Sequence, residues 1–170
     1  MKARIILTVL GSDRRGLTRE LAEAVHAAGG NWLESHLARL GGKYVGSVLV
    51  EVDAANLPLL SEEVLGIDAS GLQVAMVPAG NDPTETGKAL VIELVGQDRP
   101  GIVREVTSVL EAVGANIDGF ESDAVPGAET GELLFKARIE LTIPAAASPQ
   151  EVQDALEAIS GEIMVDFNFD

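Results

Sequence analysis

Two short loops carry the residues best suited to binding chemistry: GSDRRG at 11–16 and GQDRPG at 96–101. Asp13 and Asp98 offer carboxylates that can pair with an ammonium group, and the arginine after each can grip a carboxylate with its guanidinium fork. Each loop leads into a predicted helix, whose free N–H groups and dipole favour an anion. The pattern therefore predicts recognition of a small anion or zwitterion.

The sequence has few residues suited to covalent catalysis or to metal binding. The chain has no cysteine, which excludes disulfides, thiolate metal sites and cysteine nucleophiles. Its two histidines, His26 and His36, are scattered, whereas a metal site needs three or four ligands at close range. No G-x-S-x-G, Walker loop or G-x-G-x-x-G is present, and no serine is marked as activated. We therefore expect neither catalysis nor a metal nor a cofactor.

Composition narrows the class of partner. The 170 residues include 12 Lys and Arg against 27 Asp and Glu, a formal charge of −15. Such a surface repels phosphate backbones and anionic lipids, which disfavours direct binding to nucleic acid or to a membrane. No apolar run approaches the roughly 18 residues of a membrane span, and the N-terminus has no targeting pattern. We expect a soluble, cytoplasmic protein.

An internal duplication organises the chain. When the sequence is shifted by 85 residues, 11–31 aligns with 96–116, and nine of the 21 positions are identical. The apolar positions also repeat, with the spacing of one helix face. In the numbering of the first copy, the identical residues are Gly11, Asp13, Arg14, Gly16, Arg19, Glu20, Ala27, Gly29 and Asn31. We infer two copies of one domain.

Each copy predicts the element order βαββαβ. The predicted strands are 5–10, 31–40, 44–52 and 72–77 in the first copy, and 90–95, 116–125, 133–143 and 163–169 in the second. One helix follows each loop, and a second is predicted at 57–65 and after the capping box at 148–151. The predicted fold is α+β, two ferredoxin-like domains in tandem, each an antiparallel sheet with both helices on one face.

The domain boundaries follow from composition. We predict a first domain at 1–79, a linker at 80–87 with turn-forming residues, and a second domain at 88–170. Each sheet would leave one face without helices, and both first strands are apolar on nearly every residue. We expect this face to be covered by pairing of the domains or by homodimerisation.

The duplicated G-x-D-R-x-G loop, inside a βαββαβ copy each time, resembles the ACT domain, an amino-acid-sensing regulatory module. The resemblance runs from Ile5 to Phe169 and is closer in the second copy, because Arg15 replaces the proline usual in the family. Two such domains with little else are similar to ACT regulators of glycine cleavage. In amino-acid-binding members the ligand lies at an interface between domains, held by this loop and by a residue at the start of strand two.

The resemblance implies a ligand site at matching positions of the two copies. The implied residues are Gly11, Ser12, Asp13, Arg14, Gly16 and Asn31, and Gly96, Gln97, Asp98, Arg99, Gly101 and Asn116. It also implies a non-catalytic regulator that senses a small amino acid, such as glycine or serine. The implied protein partner is a transcription factor that controls glycine breakdown.

This sequence departs from the serine-binding members. They have asparagine in place of Asp13 and Asp98, and histidine in place of Gly11 and Gly96. One alternative is therefore a protein-interaction module that binds no ligand. Another is the separate regulatory subunit of an amino-acid biosynthetic enzyme.

A nucleic-acid-binding ferredoxin-like protein is the remaining alternative. It would need exposed aromatic residues on strands one and three and a basic face. Only Tyr44 and Phe135 are aromatic there, and the charge has the wrong sign.

The loop residues also have structural alternatives. An aspartate at such a position can cap the helix, and an exposed arginine can form a weak ion pair. The glycines can serve backbone shape alone, and an asparagine after a helix end can serve the turn.

Overall fold

The computed structural model describes residues 1–12, 14–68, 71–80, 86–127, 131–159 and 163–168. The chain divides into two compact units, Met1–Asp82 and Pro83–Asp170. Most of the linker predicted at 80–87, namely 81–85, lies outside the described residues. Among the helices of the described part, none is long and apolar enough to cross a membrane.

Both units have the predicted element order. The first contains β1 (Lys2–Ser12), α1 (Leu17–Ala27), β2 (Asn31–Leu40), β3 (Lys43–Asp53), a short 3₁₀ turn (Ala54–Asn56), α2 (Leu57–Asp68) and β4 (Leu72–Pro78). The second contains β5 (Lys88–Gln97), α3 (Ile102–Ala112), β6 (Asn116–Pro126), β7 (Leu133–Ile143), α4 (Pro149–Glu157) and β8 (Met164–Asn168). Phe169, predicted to end the last strand, lies outside the described residues.

The sheets confirm the ferredoxin-like prediction. The strand orders are β2-β3-β1-β4 and β6-β7-β5-β8, and every neighbouring pair is antiparallel. The first strands are longer than their apolar runs, because pairing with the third strand continues through polar ends such as Lys2 opposite Asp53. Hydrogen bonding therefore extends these strands beyond what hydrophobicity alone predicts.

One face of each sheet packs against its two helices. Ile5, Leu7 and Val9 of β1 are buried, while the residues between them point to the other face. In α1 the predicted stripe, including Leu17 and Leu21, meets them. Burying such a side chain stabilises the fold by about 1.5–3 kcal/mol. The alternation of apolar residues in the strand and their helical spacing in α1 therefore determine which faces meet.

The helix-free face of the second sheet is charged, which the apolar character of β5 alone did not predict. Glu93 is exposed there between half-buried Val91 and Val95. The register adds Lys136 and Arg138 beside this strand, since they lie opposite Val95 and Glu93. This face is therefore charged, through Glu93 of β5 itself and through Lys136 and Arg138 of the neighbouring strand β7.

Glycines end the first helix of each unit as predicted. Gly29 and Gly114 have φ of 67° and 74° and follow the capping residue. The N–H of the next residue, Gly30 or Ala115, reaches back to the carbonyl of Val25 or Leu110 at 2.9 Å. This is the Schellman arrangement, which directs the chain into the second strand immediately after the helix.

The β2–β3 hairpin depends on one close approach. A Cβ on Gly46 would lie 1.9 Å from the carbonyl oxygen of His36 and 2.9 Å from the Cα of Leu37, and Gly46 has φ of 148°. Only glycine fits, because a side chain would collide with backbone in a conformation that L residues rarely adopt.

We expect Gly46→Ala to destabilise the protein, with about 1–3 kcal/mol from backbone strain alone and more from the clash. Gly66→Ala is the matched control, since Gly66 lies in α2 and a Cβ there would meet nothing within 4 Å. This control should stabilise by about 0.5–1 kcal/mol. Urea unfolding followed by circular dichroism measures both changes, and equal midpoints for the two variants would contradict the close approach.

Candidate functional site

The two predicted loops join the first strand of each unit to its first helix. Gly16 and Gly101 stand immediately before α1 and α3, with φ of 92° and 93°. A Cβ on Gly16 would meet nothing within 4 Å. Glycine is therefore required for the left-handed backbone and not for space, and the helix N-terminus beyond it remains unobstructed.

Among the described residues, no side chain caps the helix that follows either loop. In α3 the N–H of Ile102 bonds to the carbonyl of Arg99 at 3.3 Å, so one orphan donor is satisfied locally. The capping role considered for Asp98 is therefore absent. Its backbone N–H instead donates to the carbonyl of Leu133 at 2.9 Å, which extends the β5–β7 ladder.

The carboxylate of Asp98 is exposed. In the described part of the chain it has no hydrogen-bond or ion-pair partner. It is therefore available to a cation from solution. Asp13, its counterpart in the first copy, lies outside the described residues.

The first residues of each loop belong to the sheet. A Cβ on Gly11 would lie 2.7 Å from the carbonyl oxygen of Gly71, so this glycine allows β4 to approach β1. Gly96 is buried in β5 opposite Phe135. Both glycines therefore have a position typical of strand packing.

The next residue in each loop is exposed and polar. Ser12 Oγ accepts a hydrogen bond from Lys43 Nζ at 3.2 Å, and Gln97 Nε2 donates to Glu132 Oε2 at 3.4 Å. A cleft of about 270 Å³ lies beside Ser12 and Lys43. The position therefore keeps its polarity in both copies but has different neighbours.

The arginine of each loop is held by a carboxylate of its own helix. Arg14 donates to both oxygens of Glu20 at 2.6 and 2.5 Å. Arg99 donates to both oxygens of Glu105 at 2.8 and 2.5 Å. Such two-pronged pairing fixes orientation as well as distance, so the arginine fastens the loop to the first turn of the helix.

Sequence reasoning assigned no role to these glutamates. The signal was present, because Glu20 and Glu105 are among the identical residues and each follows its arginine by six positions. A separation of six is outside the helical i,i+4 rule. Only the glycine turn before the helix brings the two side chains together.

The ion pairs shift the pKa values of the groups in the direction that favours their charged forms. The hydrogen bond from Arg99 holds the pKa of Glu105 below its usual value, with a further electrostatic contribution that opposes desolvation. The hydrogen bond to Glu20 raises the pKa of Arg14. Both arginines are therefore charge-compensated within their own units.

The two asparagines lie at the other end of each sheet from the loops. Asn116 is opposite Thr142, which is opposite Ala89 near the start of β5, whereas the loop follows the end of that strand. The seven residue steps from Ala89 to Gly96 span roughly 23 Å. Asn31 has the same placement relative to β1. Within one unit, a single amino-acid ligand is therefore too short to contact both the loop and the asparagine.

The side chain of Asn116 belongs to a small polar network. Its Nδ2 donates to Asp118 Oδ1 at 2.7 Å, and Thr142 Oγ1 donates to Asp118 Oδ2 at 2.7 Å. A cleft of about 360 Å³ lies beside Asn116, Thr142 and Gly114. The start of the second strand therefore has both polar groups and room for a small molecule.

The histidine, acidic and aromatic residues considered outside the two loops do not form a common site in the described part of the chain. His36 lies beside Glu34, with Nε2 and Oε1 3.1 Å apart, and both are exposed. Across the residues described here, no three His, Cys, Asp or Glu side chains cluster closely enough to hold a metal. Tyr44 bonds through its hydroxyl to Thr18 at 2.6 Å, and Phe135 is buried. Neither aromatic ring is displayed as a base-stacking platform.

The Arg99–Glu105 pair predicts a pH dependence. Because the folded pKa of Glu105 is lowered, the pair stabilises the protein above the unfolded pKa, near 4.5, and that stabilisation is lost as pH falls through the folded value. We expect Glu105→Gln to unfold at lower urea concentration than wild type at pH 7, with the difference vanishing in acid. Glu111→Gln, on the same helix, is the control. A difference that is independent of pH would contradict this assignment.

Comparisons with known proteins agree with this architecture. The family model of the ACT domain matches residues 3–76 and 88–120. The glycine cleavage system transcriptional repressor of Escherichia coli (strain K12) is 24% identical over 162 residues, which cover 94% of this chain and 85% of that protein.

Two solved structures share the fold over the whole chain. A crystal structure of an unknown protein from Galdieria sulphuraria has a TM-score of 0.80 and 29% identity, and covers 98% of each chain. A protein provisionally described as a glycine cleavage system transcriptional repressor has a TM-score of 0.73 and 16% identity over 100% of this chain and 99% of that one. With the duplicated loop, the two βαββαβ units and a family match over well more than half its length, the chain belongs to the ACT domain family.

Proposed function

We propose that this chain is a non-catalytic regulatory protein that binds a small amino acid, such as glycine or serine, and thereby changes its contact with a protein partner. The observation that carries the proposal is the loop at 96–101. It presents an exposed aspartate, which has no partner among the described residues, beside a helix N-terminus that none of them caps. An ammonium group and a carboxylate are the two groups that such a pair favours.

The loop is held ready for a ligand. Gly101 is exposed and in the left-handed conformation, and the Arg99–Glu105 pair fastens the loop to α3. A loop that is ordered before binding loses less conformational entropy when the ligand arrives. On this proposal the arginine supports the loop, while Asp98 and the backbone N–H groups make the contacts.

In the same proposal, the asparagines make a second contact with the ligand. Asn31 and Asn116 are exposed at the opposite end of each sheet from the loops. Contact of one ligand with both features would require two ACT domains. Binding would then favour one arrangement of domains over another, which is how a small ligand can alter a protein-binding surface.

The proposed partner is a transcription factor of glycine cleavage. Support comes from the name of the Escherichia coli relative, a glycine cleavage system transcriptional repressor. Charge supports a protein partner over DNA, because residues 86–170 have 5 basic and 16 acidic residues, a net of −11. Such a surface favours a basic protein and repels phosphate.

A second candidate function is a protein-interaction module that binds no ligand. The observation that favours it is the pairing of both loop arginines with Glu20 and Glu105. Because the glutamate already balances the charge of the arginine, the loop needs no bound anion to keep its shape. A regulatory subunit of a biosynthetic enzyme would differ from both in its partner, which would be the enzyme.

Thermal melting against the twenty amino acids tests the proposal. A ligand at 100 times its dissociation constant stabilises by about 2.7 kcal/mol, which raises the melting temperature of a chain this size by roughly 5–10 °C. We expect that increase for glycine or serine, and we expect Asp98→Ala and Asn116→Ala to lose it.

Glu111→Ala is the matched control, because it removes an exposed carboxylate at the far end of α3 from the loop. It should keep the ligand-induced increase. No increase with any amino acid, for a folded wild-type protein, would reject ligand sensing and favour the interaction module.

A further inference from the structure

A β-bulge recurs in both units, two residues after the asparagine that begins the second strand. The register shifts between Trp32 and Glu34 in β2, and between Ile117 and Gly119 in β6. A bulge leaves one residue unpaired and re-aims its side chain, and bulges are frequent beside functional sites. The bulged residue is Leu33 in the first unit and Asp118 in the second.

In the second unit the bulge joins three polar side chains. Asp118 Oδ1 accepts from Asn116 Nδ2, and Asp118 Oδ2 accepts from Thr142 Oγ1, each at 2.7 Å. Asn116 and Thr142 are directly opposite each other in the β6–β7 register. Both carboxylate oxygens are therefore engaged by groups from two adjacent strands.

This network determines which way the amide of Asn116 faces. A carboxylate can only accept hydrogen bonds, so the NH₂ end of the amide must turn towards Asp118. The amide oxygen then faces away, and it has no protein partner in the described part of the chain. An exposed carbonyl oxygen beside a carboxylate is an acceptor suited to a cationic donor.

The first unit lacks this arrangement. Its bulged residue, Leu33, is 40% exposed and offers no polar atom in its side chain. Asn31 lies opposite Glu51 and not opposite a hydroxyl residue, and its side chain has no partner among the residues described. No described residue there determines the orientation of the amide.

We propose that Asp118 is a positioning residue that orients Asn116 to accept a primary ammonium group, so that the second copy alone has a built amine-binding site. The site would take the ammonium group of a small amino acid in the cleft beside Asn116, Thr142 and Gly114. This inference rests on the proposed function, which places the ammonium group beside a loop aspartate. An ammonium group has three N–H donors, so it can also donate to the amide oxygen of Asn116 when loop and asparagine come from two ACT domains.

Titration calorimetry on the full chain tests the inference, with glycine and then serine as probes. Trimethylglycine is the discriminating analogue, because it keeps the carboxylate and the positive charge but has no N–H to donate. Asp118→Asn removes the acceptor-only partner, since an amide can face Asn116 with either end. Asp123→Asn is the matched control, an exposed carboxylate on the same strand, opposite Lys136 and outside the network.

We expect wild type and Asp123→Asn to bind glycine or serine alike and to reject trimethylglycine. Asp118→Asn should bind about tenfold more weakly, the loss expected for one charge-assisted hydrogen bond. Its melting temperature without ligand should change by only about 2 °C, because the network is exposed.

The outcomes separate the two proposals. If wild type binds none of the probes, the proposed function fails and this inference fails with it. If wild type binds but Asp118→Asn binds equally well, the proposed function stands and the role of Asp118 is refuted. Binding of trimethylglycine as tight as that of glycine would also refute ammonium recognition at Asn116.

Discussion

The chain reverses from the first strand into the first helix through a glycine at φ near +92°, and an arginine before that glycine grips a glutamate six residues further on. The left-handed turn determines where the helix starts, and the ion pair holds the loop against it. Burial of the helix stripe on the sheet then follows. Because both units use the same turn, both have the same layers and the same exposed helix N-terminus.

The two units share a backbone but differ in polar chemistry. Positions that pack between sheet and helices are apolar in both copies, because a change there costs several kcal/mol. Exposed positions are free of that restriction, so Leu33 and Asp118 occupy the same bulge with different properties. A duplicated ACT fold can therefore hold two dissimilar surfaces.

The distance between the loop and the asparagine of each unit follows from the fold that the two units share. A helix separates them in sequence, and a helix of eleven residues returns the chain along the full length of the sheet. The second strand therefore begins at the end of the sheet remote from the loop. Residues 15 positions apart in the chain, such as Arg99 and Gly114, thus serve opposite ends of one unit.

Sequence periodicity by itself determined the architecture. The duplicated motif, the period-two strands and the helix stripes predict two ferredoxin-like units, and the glycines after α1 and α3 and the capping box at Ser148 predict helix ends that the structure confirms. These signals are local, since each depends on the few residues around it.

Only the tertiary structure decided the side-chain partners. It paired Arg99 with Glu105 and Asp118 with Asn116 and Thr142, and it made the face beside β5 charged. Those outcomes depend on strand register, on a bulge and on a left-handed turn, which bring together residues whose spacing follows no helical or strand period. A pattern within one element cannot contain them, because the partner comes from another element.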